Sequence, residues 1–326
     1  MAKPKVLATR PLFPAAQEIL NAFCDVEYWT KPERISKEEL FKKVKDKEGL
    51  VCLLTEKVNA ELLSAAPKLR IAANVAVGFD NIDVAACTKR GVAAANTPGV
   101  LDETTADFAW TLMMAIGRRL VEGDTLARSG NWTGWDLDQL VGADIWGKTL
   151  GIVGFGRIGR AMARRALGFQ MKVIYADAVQ APGAVEKELK AEYRGMNSLL
   201  AESDFISLHV PLLPETRGLF DGSRFSKMKP TAYLINTSRG AVIDEAALVH
   251  ALESGKIAGA ALDVFENEPF ILPGLKRPNV VLAPHIASAS IETRTKMACM
   301  AAENVVAMLK GKQPPNILNP EVLKAK

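Results

Sequence analysis

No stretch of 18 apolar residues occurs in the 326-residue chain, so the sequence offers no membrane-spanning helix. The opening run MAKPKVLATRPLF is broken by Arg10 and Pro11 and has neither the apolar core nor the cleavage site of a secretory signal. Cysteine is sparse: Cys24, Cys52, Cys87 and Cys299 lie scattered without CxxC or CxxH spacing, which argues against a zinc site. No metal is expected, and the four read as reduced, mostly buried thiols of a cytoplasmic protein. Charge of one sign is also missing. Lys and Arg number 41 against 37 Asp and Glu, a net +4 with the two signs interspersed, so no nucleic-acid surface is expected. Histidine is rarest of all among the chemically versatile residues, with three copies at His209, His250 and His285.

What is present is a chain that can fold. Hydrophobic residues make up 48%, too many for a disordered polymer, and the length suits about two domains. Short apolar runs alternate with amphipathic stretches throughout, the pattern of parallel α/β sheets. Strands are expected at 5–8, 49–54 and 69–76, with helices at 14–22 and 59–65. Asn96-Thr97-Pro98-Gly99 is a turn signal. One long helix is expected from Thr104 to Leu126, then an irregular arm bearing Trp and Gly from Ser129 to Gly147. A second α/β pattern runs from Thr149 to about Pro284, and a last helix from Ser290 to Leu309 stops at Gly311 before Pro314 and Pro315. The late helix suggests a discontinuous first domain, 1–99 plus 288–326, around a second domain at 100–287 that includes the arm region 104–147.

The second domain opens on the strand Leu150-Gly151-Ile152-Val153, which runs straight into Gly154-Phe155-Gly156-Arg157-Ile158-Gly159 and a helix. Three glycines there do three things: a tight turn, close approach of backbone to a pyrophosphate, and close packing of helix on strand. The phosphates would rest on the N–H groups at the helix start. Asp177 closes the next strand, at roughly the spacing of about 20 residues at which an acid meets ribose hydroxyls. A carboxylate there repels the extra phosphate of NADP, so NAD is the expected cofactor and NADP the less favoured one.

Three later segments each place polar residues at the C-terminal end of an expected strand, the edge where open α/β sheets bind ligands. They are Thr237-Ser238-Arg239-Gly240, Asp263 to Pro269, and Pro284-His285-Ile286-Ala287-Ser288. Reduction of a 2-oxo acid by hydride needs a cation for the substrate oxygens, a proton donor in the range of histidine, and a carboxylate to orient it. Arg239, His285 and Glu268 supply these types. The residues alone leave open a structural Arg239–Glu268 ion pair with His285 packing a loop. His250 reads as plain helix surface, and His209, at the end of a strand before Pro211, as a wall of the cofactor groove.

With GFGRIG and its acid, the NTSRG box at 236–240, the DVFENEP box at 263–269 and the PHIAS box at 284–288, the chain resembles the D-isomer-specific 2-hydroxyacid dehydrogenases over nearly its whole length. The segments LDETTADFAW at 101–110 and WTGW at 132–135 resemble the glyoxylate/hydroxypyruvate reductase branch. The resemblance implies two Rossmann-like parallel-sheet domains, one flavodoxin-like and one dinucleotide-binding, with the active site in a cleft between them. It makes Arg239, Glu268 and His285 catalytic, with Glu268 stabilising the imidazolium form of His285. It assigns the cofactor to Gly154, Gly156, Arg157, Ile158, Gly159, Asp177, Thr105, Val210, Thr237, Ser238, Arg239, Asp263, His285 and Ser288, with Asp263 on the nicotinamide amide. It assigns the substrate to Leu54, the backbone N–H groups of Val77 and Gly78, Arg239, His285 and Trp135. The implied activity is reduction of glyoxylate or hydroxypyruvate by NADH, in a homodimer where Trp135 either approaches the partner's pocket or packs the dimer arm. Relatives that reduce 2-ketogluconate or oxidise phosphite share the triad, as do NADH-sensing corepressors. The chain stops soon after its last helix, which disfavours the corepressor reading.

Overall fold

The computed structural model describes residues 2–324. Chain contacts divide into two units, 1–101 with 289–326, and 102–288. In the first unit β1 (Lys5–Ala8), β2 (Asp25–Tyr28), β3 (Gly49–Cys52), β4 (Ile71–Asn74) and β5 (Ala93–Ala95) form a parallel sheet in the order β2-β1-β3-β4-β5. Its inner strands are buried on both faces, which is why β3 and β4 read as unbroken apolar runs rather than alternating ones. Successive residues still serve opposite faces. Val6, Ala8, Val51 and Ala73 pack with Leu20 of the helix Pro14–Phe23 and with Ala301 and Val305 of the last helix, Ile291–Leu309. Leu7, Leu50, Cys52 and Ala72 pack with Leu40, Val44, Leu62 and Leu63 on the other side. Each fully buried valine or leucine among these stabilises by about 1.5–3 kcal/mol, and each alanine by less.

The second unit holds β6 (Thr149–Val153), β7 (Lys172–Ala176), β8 (Ala191–Tyr193), β9 (Phe205–Leu208), β10 (Tyr233–Asn236), β11 (Gly259–Leu262) and β12 (Val280–Leu282). All pair parallel, in the order β12-β11-β10-β9-β6-β7-β8. The winding direction reverses between β6 and β9, and that switch point is where such sheets open a crevice beyond their strand ends. One face is covered by the helices Asp102–Gly117 and Arg157–Gly168, whose Ala106, Ala109, Met113, Ala161 and Met162 share a core with Leu150, Ile152 and Val173.

The single helix expected over 104–126 is two. Asp102–Gly117 ends, Arg119 takes a left-handed φ of 51°, and a new helix runs Leu120–Ser129 with no buried residue. The cause lies far along the chain. The Gly117 carbonyl accepts the N–H of Ala143 at 2.8 Å, and a side-chain carbon on Gly117 would meet Ile145 at 2.8 Å. The returning arm therefore occupies the space that a continuing helix would need. The arm itself is irregular, as its composition indicates, and exposes Trp132, Trp135, Leu137, Val141 and Trp146. No helix among the described residues is long and apolar enough to cross a membrane.

Candidate active site

The glycine loop follows β6 directly, and its three glycines sit in three different surroundings. Gly154 has φ +92°, and a side-chain carbon there would lie 2.7 Å from the backbone of His209 and 2.9 Å from Val210 Cγ1. This turn therefore fits against the end of β9 only without a side chain. Gly159 would collide with the Gly154 carbonyl at 2.2 Å, so the helix is drawn tight onto its own loop. Gly156 has no atom within 4 Å of such a carbon, so a ligand can approach the backbone closely there. The helix Arg157–Gly168 begins at Gly156 without a side-chain cap, which leaves its first N–H groups for an anion. Asp177 braces the loop: Oδ2 accepts the Phe155 N–H at 2.6 Å while Oδ1 accepts that of Ala178 at 2.6 Å. Beneath it the rings of Phe155 and Tyr175 stack with centroids 3.9 Å apart.

At the end of β10 the fully buried Asn236 shapes the turn that carries Arg239. Its Oδ1 accepts Ser238 N–H at 3.0 Å and Ser238 Oγ–H at 2.7 Å, and its Nδ2 donates to the Arg239 carbonyl at 2.9 Å. Arg239 Nη1 donates to the Ser238 carbonyl at 2.8 Å. The hydroxyl of Thr237 is buried without a protein partner, and buried hydroxyls normally have one. A bound group at this strand edge would supply it. Gly240 brings the turn onto the next segment, because a side-chain carbon there would sit 1.9 Å from the Phe265 carbonyl carbon.

That next segment holds the acid. Glu268 Oε1 accepts the Phe265 N–H at 3.1 Å and Oε2 lies 2.9 Å from His285 Nδ1. Burial pushes the Glu268 carboxyl up, but the hydrogen bond and charge of His285, the Phe265 N–H and the charge of Arg239 outweigh it and hold the group below its ordinary value. Both side chains of the pair keep about a third of their surface exposed, 32% for His285 and 34% for Glu268. With Nδ1 engaged, Nε2 is the ring nitrogen left to act on a substrate. His285 itself has a left-handed φ of 56°. Asp263, wholly buried, holds it there: its carbonyl accepts the His285 N–H, and Oδ1 and Oδ2 accept those of Ile286 and Ala287, all at 2.8 Å. Burial raises the Asp263 pKa against the pull of these two N–H groups and of His285.

The structure thus joins Glu268 to His285, sets the Arg239 turn against the Glu268 segment, and ties Asp177 to the glycine loop. Asp263, assigned by resemblance to the cofactor amide, uses both carboxylate oxygens on the histidine loop. Thr105 is buried within its helix, Ser288 ends the second unit, and Trp135 stands 83% exposed on the arm. In the first unit Leu54 follows β3 and Val77 and Gly78 follow β4. His250 is exposed. The strand expected to run to Val210 ends at Leu208, so His209 lies just beyond it, and the ring places Nε2 2.8 Å from Ser207 Oγ. Burial pulls the His209 pKa down to about 3. Sequence reasoning missed Asn236 and also Glu245, which is 7% exposed and accepts the Glu266 N–H at 2.7 Å. A helix-start glutamate reads as exposed first-turn charge, and only tertiary packing reveals it as a prop for the catalytic segment.

The model for the NAD-binding domain of D-isomer-specific 2-hydroxyacid dehydrogenases matches residues 110–287. A curated relative, the glyoxylate reductase of Korarchaeum cryptofilum, is 51% identical over 99% of this chain and 98% of its own length. A crystal structure of a protein from Thermus thermophilus superposes with TM-score 0.91 at 42% identity, covering 96% of this chain and 99% of that one. An NADPH-dependent glyoxylate/hydroxypyruvate reductase from Sinorhizobium meliloti, solved with NADP and malonate, gives 0.84 at 32% identity over 97% of each chain.

Proposed function

The chain belongs to the D-isomer-specific 2-hydroxyacid dehydrogenases, and from that premise we propose that it reduces a small 2-oxo acid, glyoxylate or hydroxypyruvate, to the D-2-hydroxy acid. The observation that carries this reading is the Glu268–His285 pair, held beside the Arg239 turn on the same strand-end edge as the glycine loop. NADH, when bound, supplies the hydride. It would be held by Gly154, Gly156, Arg157, Ile158 and Gly159 at the phosphates, by Asp177 at the ribose, and by Thr105, Val210, Thr237, Ser238, Asp263 and Ser288 around the rest.

The chain's own side chains then do the following. Arg239 and the N–H groups of Val77 and Gly78 hold the carboxylate and carbonyl oxygens, with Leu54 as an apolar wall. His285 donates a proton from Nε2 to the oxygen as it gains charge. Glu268, ionised, fixes the ring through Nδ1 and favours its charged form before the proton leaves. Asp177 with no arginine in the following Ala178-Val179-Gln180 supports NADH over NADPH, unlike the Sinorhizobium enzyme. The exposed apolar arm supports a homodimer in which Trp135 packs against the partner subunit. Its buried free thiols at Cys24, Cys52 and Cys87 suit the reducing cytoplasm.

Assay of glyoxylate, hydroxypyruvate, 2-ketogluconate and phosphite with both cofactors tests the reading. The expected result is the highest kcat/KM for glyoxylate or hydroxypyruvate with NADH. Turnover confined to 2-ketogluconate or phosphite, or NADH binding without turnover, would contradict it.

A further inference from the structure

The segment after β4 has three successive carbonyls tied inward. That of Ala76 accepts the Thr97 N–H at 2.9 Å, that of Val77 accepts Asn96 Nδ2 at 2.7 Å, and that of Gly78 accepts Asn74 Nδ2 at 2.8 Å. In a planar trans peptide the carbonyl and the following N–H point in opposite directions. Fixing these three oxygens therefore turns the N–H groups of Val77, Gly78 and Phe79 away from the donors. Successive N–H groups aimed outward make an anion-binding concavity.

The two asparagines are themselves immobilised. Asn74 is wholly buried and also donates to Asn81 Oδ1 at 3.0 Å. Asn81 in turn donates to the carbonyls of Leu53 at 3.0 Å and Glu56 at 2.9 Å, which ties the Leu54 loop to the same network. Asn96 is 7% exposed, and its carbonyl accepts Nδ2 of the fully buried Asn304 at 3.3 Å. A neutral amide suits this place. An aspartate would offer no donor to the Val77 carbonyl and would add a negative charge beside an anion.

We infer that Asn96 and Asn74 are positioning residues that hold the Val77 and Gly78 carbonyls so that the N–H groups of Gly78 and Phe79 face the substrate carboxylate. The Asn-Thr-Pro-Gly turn, otherwise only a chain reversal, thereby acquires a part in substrate selection. Neither asparagine touches the substrate; each acts through a peptide plane. The inference rests on the 2-oxo acid reading and adds Phe79 N–H and the two asparagines to it.

The test compares wild type with N96A and N74A, using steady-state kinetics for glyoxylate and fluorescence titration of the NADH-loaded enzyme with oxamate, a non-reducible carboxylate. Loss of a hydrogen bond that serves a charged group corresponds to roughly tenfold to a hundredfold in affinity. The glyoxylate KM and the oxamate Kd should rise by that order, with NADH affinity unchanged. A merely structural role would lower the fraction of active enzyme, and so kcat, with KM and oxamate binding unmoved; that result in folded N96A and N74A would overturn the inference. If N96A fails to fold by circular dichroism, N74A alone decides between these outcomes, and the isosteric N96D, expected to weaken oxamate binding further, decides in its place if N74A also fails. A wild type that neither reduces glyoxylate nor binds oxamate would overturn the reading of function, whereas active wild type with unchanged variants would overturn this inference alone.

Discussion

Asp177 Oδ2 accepts the backbone N–H of Phe155 at 2.6 Å, so the acid that ends β7 also sets the shape of the glycine loop. A carboxylate oxygen has a second lone pair, and Asp177 can hold the loop and a ribose hydroxyl together. Asp177→Ala should therefore raise the KM for NADH and erode the preference for NADH over NADPH. Kinetics with both cofactors check this. Wild type working as well with NADPH as with NADH would contradict the assignment.

Glu268 lies below its ordinary value of 4.5 despite burial, chiefly because His285 bonds to it and sits beside it as a cation. A depressed carboxylate contributes stability that is present above the unfolded value and is lost as pH falls through the folded one. Glu268 should thus stay ionised until pH falls below about 4.5, where its contribution to stability is lost. Glu268→Gln keeps the shape and removes the charge. The fall of the reduction rate at high pH should then move to lower pH, and the oxidation limb with it. Profiles of kcat/KM against pH for both proteins decide; an unshifted limb would mean that Glu268 does not tune its neighbour.

His209 changes stability with pH in the same direction, but through burial alone rather than through a partner. Its folded pKa of about 3, set by burial, lies under the ordinary 6.5, so the unfolded chain binds the extra proton between those values. Stability should fall as pH drops from 6.5 towards 3, with a slope of at most about 1.4 kcal/mol per pH unit from this residue. His209→Asn should flatten the melting temperature across that window. An equal slope in both proteins would show that the ring is not buried as a neutral group.

The arm exposes Trp135 by 83%, Leu137 by 80% and Val141 by 65%, large apolar side chains that a partner subunit could cover. Sedimentation at micromolar concentration should give a dimer, and Leu137→Asp should shift it towards monomer. A monomeric wild type would refute the assembly proposed.

Much of this molecule was readable from local pattern. Strand, glycines, helix, strand and acid lie within 149–177 and depend on neighbours in sequence, so they could be read directly. The two parallel sheets followed from unbroken apolar runs. Elements governed by distant contacts were opaque. The break at Arg119 comes from the returning chain near Ala143, and no periodicity in 104–126 records it. Asp263 reads as a strand-end acid, yet its hydrogen bonds to Ile286 and Ala287 across 23 and 24 residues set the left-handed His285. Asn74 and Asn96 look like strand end and turn; what they hold becomes visible only when β4 and β5 are side by side.

The proton donor is the centre of the account, and one comparison tests it most directly: kcat/KM for hydroxypyruvate at saturating NADH in wild type and His285→Ala, with the glycerate product resolved by configuration. A general acid contributes about 10²–10⁴-fold, so the variant should lose activity in that range while keeping its melting temperature, and wild type should yield D-glycerate. Near-normal turnover in folded His285→Ala, or L-glycerate from wild type, would contradict the account.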